Sequence, residues 1–421
     1  MPSRNLGSRH IIPVLDDVAL HPGSVLPLAL PNFTSEDGAA GAFGAASVAG
    51  GRGVRPFACL GPEPAAFLED EGLPPWPEPW SCPGGLTIFP LAIGIADELV
   101  APCIPEKEFD FAKVLPGDRS TYVFNSSLRE DVRAYHAMLR ASWFAVSRAK
   151  GGWDCLRHYE VLGAGSVPFF LDVDAIPSRS VPFLPRRLLR EAILLDGVYE
   201  SRVEQNSFSP SAYIGIAGEL LRYTRHRLTA SALAGYVLDT LGDEGGSGGG
   251  DGGVAGRRGR PRSILFLLPP EDHPASQGGY MASNLLVGLR RLLGGRALDF
   301  PRWRQLYARA VDEGREPRGD LSTTGLLAEP PPAPVGARNA SGIALLLAAR
   351  AFDAVIYSNA RAPLPFWDVV RSHYAPSKVA FLDGHDHLNA SRVLELAPLG
   401  RYFVREMAEG CPIEGYEWSD S

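Results

Sequence analysis

No Cys-x-x-Cys pair occurs in this 421-residue chain; its five cysteines, Cys59, Cys82, Cys103, Cys155 and Cys411, are scattered. That spacing excludes the common zinc modules, and the odd count favours reduced thiols with no structural role. No uninterrupted apolar run approaches the roughly 20 residues that cross a bilayer, which argues against a membrane span. Positive charge is not in excess: 41 Lys and Arg against 48 Asp and Glu leave a net charge of −7. Wholesale nucleic-acid binding and a basic membrane-docking surface are therefore disfavoured. The amino terminus, MPSRNLGSRHIIPVLDDVALHPG, is broken by charges and prolines before a signal h-region could form. Without such a signal, the sequons at Asn32, Asn125, Asn339 and Asn389 read as chance occurrences. The expectation is a soluble chain, cytoplasmic by default, or one whose leader lies outside this sequence.

What the chain does contain is 45% hydrophobic and 21% charged residues, with 46 glycines and 37 prolines that cluster. The length exceeds what one core usually serves, so two domains are expected. Residues 1–85 are rich in Gly, Ala and Pro and show little period, which predicts an irregular extension. Over 86–241, LTIFPLAIGI, STYVFNS and SWFAVS read as strands, and EDVRAYHAMLRAS, 183–199 and 212–240 as helices. The run GDEGGSGGGDGGVAGRRGRPR, 242–262, predicts a flexible linker. Its basic tail could touch phosphate or simply be solvated. From 263 to 421, SILFLLP, RALDFP, FDAVIYSNA, KVAFLDGHD and RYFVREM read as strands. ASNLLVGLRRLLGG reads as a helix ending at a glycine cap. Strands alternating with helices predict an α/β fold with parallel sheets of Rossmann type.

The densest chemistry lies in SRAKGGWDCLRHYEVLGAGSVPFF, residues 147–170. A strand is predicted to end near Ser147, and a helix to begin near Asp154, a good N-cap residue. Gly151 and Gly152 let backbone approach a ligand, while Arg148 and Lys150 add positive charge in front of a helix start. Together these make a phosphate site. Arg157 and Glu160 are three residues apart and share a helix face. The same features also serve a plain surface helix with a flexible front and a salt bridge, and spacing alone does not choose between the two.

The stretch YHAMLRASWFAVSRAKGGWDCLRHYEVLGAGSVPFFLDVDAIPSRSVPFLP resembles the donor-binding half of exostosin-like and related family-1-like glycosyltransferases. Their Arg-x-x-Glu helix matches Arg157, His158, Tyr159 and Glu160, and their Gly-Cys-Ile-Pro-Val run matches Gly165-Ser166-Val167-Pro168-Phe169. Ser166 replaces the usual cysteine. The KGGWDCLRHYE wording is closest to a subgroup found in algae and large viruses. The specific match covers about 50 residues, and a looser one covers 86–200. The resemblance implies two Rossmann-like domains of GT-B type and a nucleotide-diphosphate sugar as donor, with no resident cofactor. It further implies that Glu160 holds the donor ribose, Lys150 to Trp153 the diphosphate, and that Arg157 neutralises phosphate or orients Glu160. His158 falls within the same donor-binding set.

Residues 263–421 look like the acceptor-side half of such an enzyme, which normally comes first, so the resemblance implies a permuted order or a rearranged gene. In DGHDH, Asp383, His385, Asp386 and His387 follow a predicted strand. Asp383, His385 and Asp386 are candidates for the base that deprotonates an acceptor hydroxyl. A metal site or a plain polar turn is the alternative there. His273 is a second base candidate. Asp172 and Asp174 in DVD form a weak Asp-x-Asp metal match, Cys155 reads as core, and Trp153 as a stacking or packing residue. The expected function is glycosyl transfer to a glycan or other hydroxyl acceptor. The alternatives are a non-catalytic nucleotide- or glycan-binding relative, and a scaffold.

Overall fold

The computed structural model describes residues 59–60, 72–116, 118, 121, 129–149, 151–170, 172–242, 259–270, 279–307, 323, 325–327, 339–386 and 392–407. Most of the expected extension, the glycine-run centre, the STYVFNS strand except Thr121, Lys150, His273 and His387 lie outside these residues.

The strands, in chain order, are β1 (Cys59–Leu60), β2 (Trp80–Cys82), β3 (Leu86–Pro90), β4 (Ile104–Pro105), β5 (Phe109–Phe111), β6 (Ser142–Ser147) and β7 (Val167–Phe170). They continue with β8 (Val198–Tyr199), β9 (Arg202–Val203), β10 (Ile264–Leu267), β11 (Ala297–Phe300), β12 (Ala354–Tyr357), β13 (Val379–Asp383) and β14 (Arg401–Val404). The six helices that matter most here are α1 (Arg129–Arg140), α2 (Leu156–Gly163), α3 (Arg186–Ile193), α4 (Pro210–Tyr223), α5 (Ala230–Gly242) and α6 (Tyr280–Leu293).

The architecture is mixed α/β. Seven strands form one sheet in the order β11-β10-β12-β13-β14-β3-β2. All neighbours are parallel except β2, which closes the edge antiparallel to β3. Its inner strands are apolar at nearly every position because both faces are covered. The period of two sorts them: Ile264, Phe266, Ile356, Ala380, Leu382 and Phe403 enter one core, with α5 and α6. Leu265, Leu267, Val355, Tyr357, Phe381 and Tyr402 enter the other, under the helices Ala340–Ala348 and Trp367–His373. Gly288 permits the close crossing of α6 over α5, since a Cβ there would lie 1.9 Å from the Ala230 carbonyl oxygen.

A second, three-stranded parallel sheet has the order β5-β6-β7 and is wound as β5-α1-β6-α2-β7. The SWFAVS strand forms as expected, and so does α6 with Gly294 at its end in the left-handed region, φ 60°. The helix expected over 212–240 is two helices, α4 and α5, joined by a π-helical turn at Thr224–Leu228.

The division at residue 86 does not follow the sheets. Strand β3 is hydrogen-bonded to β14, with Tyr402 opposite Ile88, and so belongs to the larger sheet. Helix α5 packs there as well, and one continuous core runs from Phe144 and Phe169 of the small sheet to Phe266 and Phe403 of the large one. At the end of the glycine run, Arg260 pairs with Asp239 of α5. Among the described residues, no helix is long and apolar enough to cross a membrane.

The cysteine expectation is overturned. Cys59 and Cys103 form a disulfide, their Cα atoms 5.7 Å apart, because the antiparallel pairing of β1 with β4 brings the two segments together. Cys82 is disulfide-bonded as well. Cys155 is the free cysteine among the described residues.

Candidate functional site

The carboxyl ends of β13 and β14 meet the loop that leaves β6. Beyond Ser147 the chain passes an exposed Arg148 and reaches Gly151 and Gly152, which lie against two acidic side chains from the far end of the sequence. A Cβ on Gly151 would stand 2.5 Å from an Asp386 carboxylate oxygen, and one on Gly152 would stand 2.2 Å from Glu406 Oε1. A side chain at either position would have to displace a carboxylate of the same chain.

Helix α2 starts one residue later than expected. Its N-cap is Cys155, whose side chain makes no capping bond. The Cys155 thiol instead lies 3.3 Å from the Gly152 carbonyl oxygen. The amides ahead of the helix are satisfied from outside: Trp153 N–H donates to Glu406 Oε2 at 2.7 Å and Asp154 N–H to Glu406 Oε1 at 3.0 Å. The anion-binding position in front of α2 is therefore real, and a carboxylate of the chain itself occupies it. Glu406 is held by a bridge to Ser180 and by the Arg405 guanidinium at 3.1 Å. Arg405 also pairs with Asp386, and its backbone N–H donates to the Asp383 carbonyl.

Asp154, expected as the cap, turns inward. Its carboxylate accepts the Ile93 N–H at 3.1 Å and the Tyr159 hydroxyl. Burial pushes its pKa up to about 7, with Arg405 and the Tyr159 bond pulling the other way and Glu406 adding to the rise. Arg405 is held above the usual arginine range: burial works against its charge, but Asp154 and Glu406 more than offset that.

The residues of the expected donor set point in different directions. His158 is wholly buried. Its Nε2 donates to the Trp153 carbonyl at 2.7 Å, since a carbonyl only accepts, and its Nδ1 therefore accepts from Ser147 Oγ at 3.1 Å. Burial lowers its pKa to about 4, so the ring is a neutral tie between β6 and the loop. Trp153 packs partly against the main core. Arg157 donates to the Val114 carbonyl at 2.9 Å, and Glu160 accepts the Tyr135 hydroxyl at 3.0 Å. Both face the β5–α1 side, whereas Gly151 and Gly152 face β13 and β14.

Of the expected bases, Asp383 has both oxygens engaged, by Arg361 Nε at 3.0 Å and the Tyr402 hydroxyl at 2.8 Å, at 1% side-chain exposure. It anchors Arg361. His385 is half-buried, with Nε2 3.3 Å from Asn359 Oδ1. The Arg361 amide donates to that same oxygen at 2.9 Å, which identifies it as the acceptor and Nε2 as the protonated nitrogen. Asp386 is the carboxylate that comes up to Gly151.

Asp174 of the Asp-x-Asp match pairs with Arg190 on the surface. Among the described residues no group of three or more His, Cys, Asp or Glu side chains is placed to hold a metal ion. The residues that sequence reasoning missed are Arg405, Glu406 and Tyr135. An Arg-Glu pair directly after a strand end is the only local signal the first two carry.

No family model, no curated protein and no solved structure matches the chain.

Proposed function

We propose that the chain is a glycosyltransferase of GT-B type, with two Rossmann-like halves in permuted order, moving sugar from a nucleotide-diphosphate donor to a hydroxyl acceptor. One observation carries the reading: the Gly151–Gly152 loop and the His385–Asp386 turn, more than 200 residues apart in sequence, abut at the carboxyl ends of parallel strands. Ligands of open α/β sheets bind at that edge.

In this reading the amides of Trp153 and Asp154 receive the donor diphosphate in place of the Glu406 carboxylate, while Glu160, bonded to Tyr135 on the other side of α2, is not part of that cradle. His385 takes the acceptor proton, and Asp386 orients the acceptor hydroxyl. Catalysis rests on positioning and on stabilising the leaving diphosphate, with no resident cofactor. The non-catalytic alternative draws on one specific fact, that both loop amides are already taken by Glu406.

The test is thermal stabilisation by UDP and GDP, followed by donor hydrolysis across a nucleotide-sugar panel. Gly152→Val, which pushes a side chain in front of the Trp153 and Asp154 amides, is expected to abolish both. Nucleotide binding without turnover of any donor points to the non-catalytic relative, and no nucleotide binding at all removes both readings.

A further inference from the structure

We propose that Asn339 is an N-glycosylation site and that the chain matures in an oxidising, secretory compartment. Two independent features meet here. The first is the disulfide between Cys59 and Cys103, joined by a second bridged cysteine, Cys82. Such bonds form and persist in the endoplasmic reticulum and beyond, where glutathione and thioredoxin do not reduce them. That is also the compartment in which Asn-x-Ser/Thr acceptors meet the oligosaccharide-transferring machinery.

The second feature is the geometry of the sequon Asn339-Ala340-Ser341. All three residues are exposed. Asn339 sits in extended backbone, φ −143° and ψ 168°, as the N-cap of the helix Ala340–Ala348, and its Oδ1 accepts the Gly342 N–H at 2.8 Å. Capping uses the amide oxygen; glycosylation uses the amide nitrogen. In a planar carboxamide the two lie on opposite sides of Cγ, so a glycan on Nδ2 leaves the cap intact. The buried face of that helix is carried by Gly342, Ile343 and Leu347, none of which belongs to the sequon.

In the transfer itself, Nδ2 attacks the anomeric carbon of a polyprenyl-diphosphate oligosaccharide. The new bond is N–C1, the bond broken is C1–O, the polyprenyl diphosphate leaves, and the displaced amide proton passes to solvent. The sequons at Asn32, Asn125 and Asn389 lie outside the described residues. The inference is independent of whether the chain transfers sugar.

The experiment uses the full-length chain, tagged and purified from the cells that naturally make it. Its peptides are mapped without reduction, before and after peptide-N-glycosidase treatment. Trypsin releases Asn339–Arg350 as one peptide, expected as a glycopeptide whose asparagine is converted to aspartate on enzymatic release. Ser341→Ala is expected to leave this peptide bare at an unchanged melting temperature, because the Asn339 cap remains. Recovery of a bare Asn339 peptide from protein whose Cys59 and Cys103 are bridged overturns the site. Free thiols at both cysteines in the native protein overturn the compartment and the site together.

Discussion

Two buried arginines invite comparison. Arg290 of α6 meets Asp299 of β11 at 2.9 Å, both side chains under 8% exposed, and the Tyr307 hydroxyl bonds both partners at 2.7 Å. The other Asp299 oxygen accepts the Trp303 N–H at 2.8 Å. One cation answers one anion, with hydrogen bonds to the remaining lone pairs, so this cluster is a balanced clasp between a helix and the strand that follows it. Arg405 is equally buried but faces two buried carboxylates, Asp154 and Glu406, and a more exposed third, Asp386. The excess acid is lodged on backbone amides of Trp153, Asp154 and Ile93. A balanced pair holds elements together; an acidic excess on amides has a partner to exchange when an anionic ligand arrives.

The largest test of that contrast removes each cation. Arg405→Met leaves the carboxylates unanswered and is expected to cost about 3–5 kcal/mol in urea unfolding, the range for a broken buried pair. Arg290→Met leaves one carboxylate still hydrogen-bonded by Tyr307 and Trp303 and is expected to cost less. Equal losses would erase the distinction. Next in size, Gly152→Ala drives a methyl into Glu406 and is expected to cost about 1–3 kcal/mol by overpacking. Combined with Glu406→Ala, it should cost less than the two single losses added together.

Glu406→Gln is the functional counterpart. It removes one charge from the acidic excess, and isothermal titration is expected to show roughly tenfold tighter binding of inorganic pyrophosphate, about 1.4 kcal/mol. Unchanged or weaker binding would mean that Glu406 only braces the loop and is not exchanged.

The smallest effect is in pH dependence. Asp154 rises from an ordinary value near 3.8 to about 7, so the folded state binds a proton between those values that the unfolded state does not. Its contribution therefore favours folding as pH falls from 7 toward 4, and is lost as pH rises through 7. His136 and His158, both lowered from 6.5 to about 4 by burial, act in the opposite sense below pH 6.5. The intact protein is expected to lose stability on acidification below that point. Asp154→Asn, without the compensating proton, should lose it more steeply, by about 1 kcal/mol per pH unit. Urea midpoints of the two proteins at pH 5 and pH 7.5 read the difference.

How much of this was legible beforehand varies with sequence distance. Strand β6, helix α6 and the strand runs near Ile264, Ala354, Val379 and Arg401 could be read locally, because burial on two faces leaves a continuous apolar run and α6 ends at a glycine. The membership of β3 could not be read: LTIFP pairs with a strand more than 300 residues later, and nothing in its own composition names its neighbour. In the candidate site, the helix start and its two glycines were legible as an anion cradle. That Glu406, 253 residues beyond Trp153, supplies the anion was not.

By itself, the sequence determined the periodic elements, the presence of an amide-rich helix start after β6, and five cysteines without a pairing. Tertiary structure alone decided which cysteines join, which sheet claims β3, and which group sits on the loop amides. Periodicity and capping act over a few residues and leave a local trace. Partners brought together across hundreds of residues are chosen by how the sheets pack, and an Arg-Glu pair after a strand looks the same whether it faces water or a helix start.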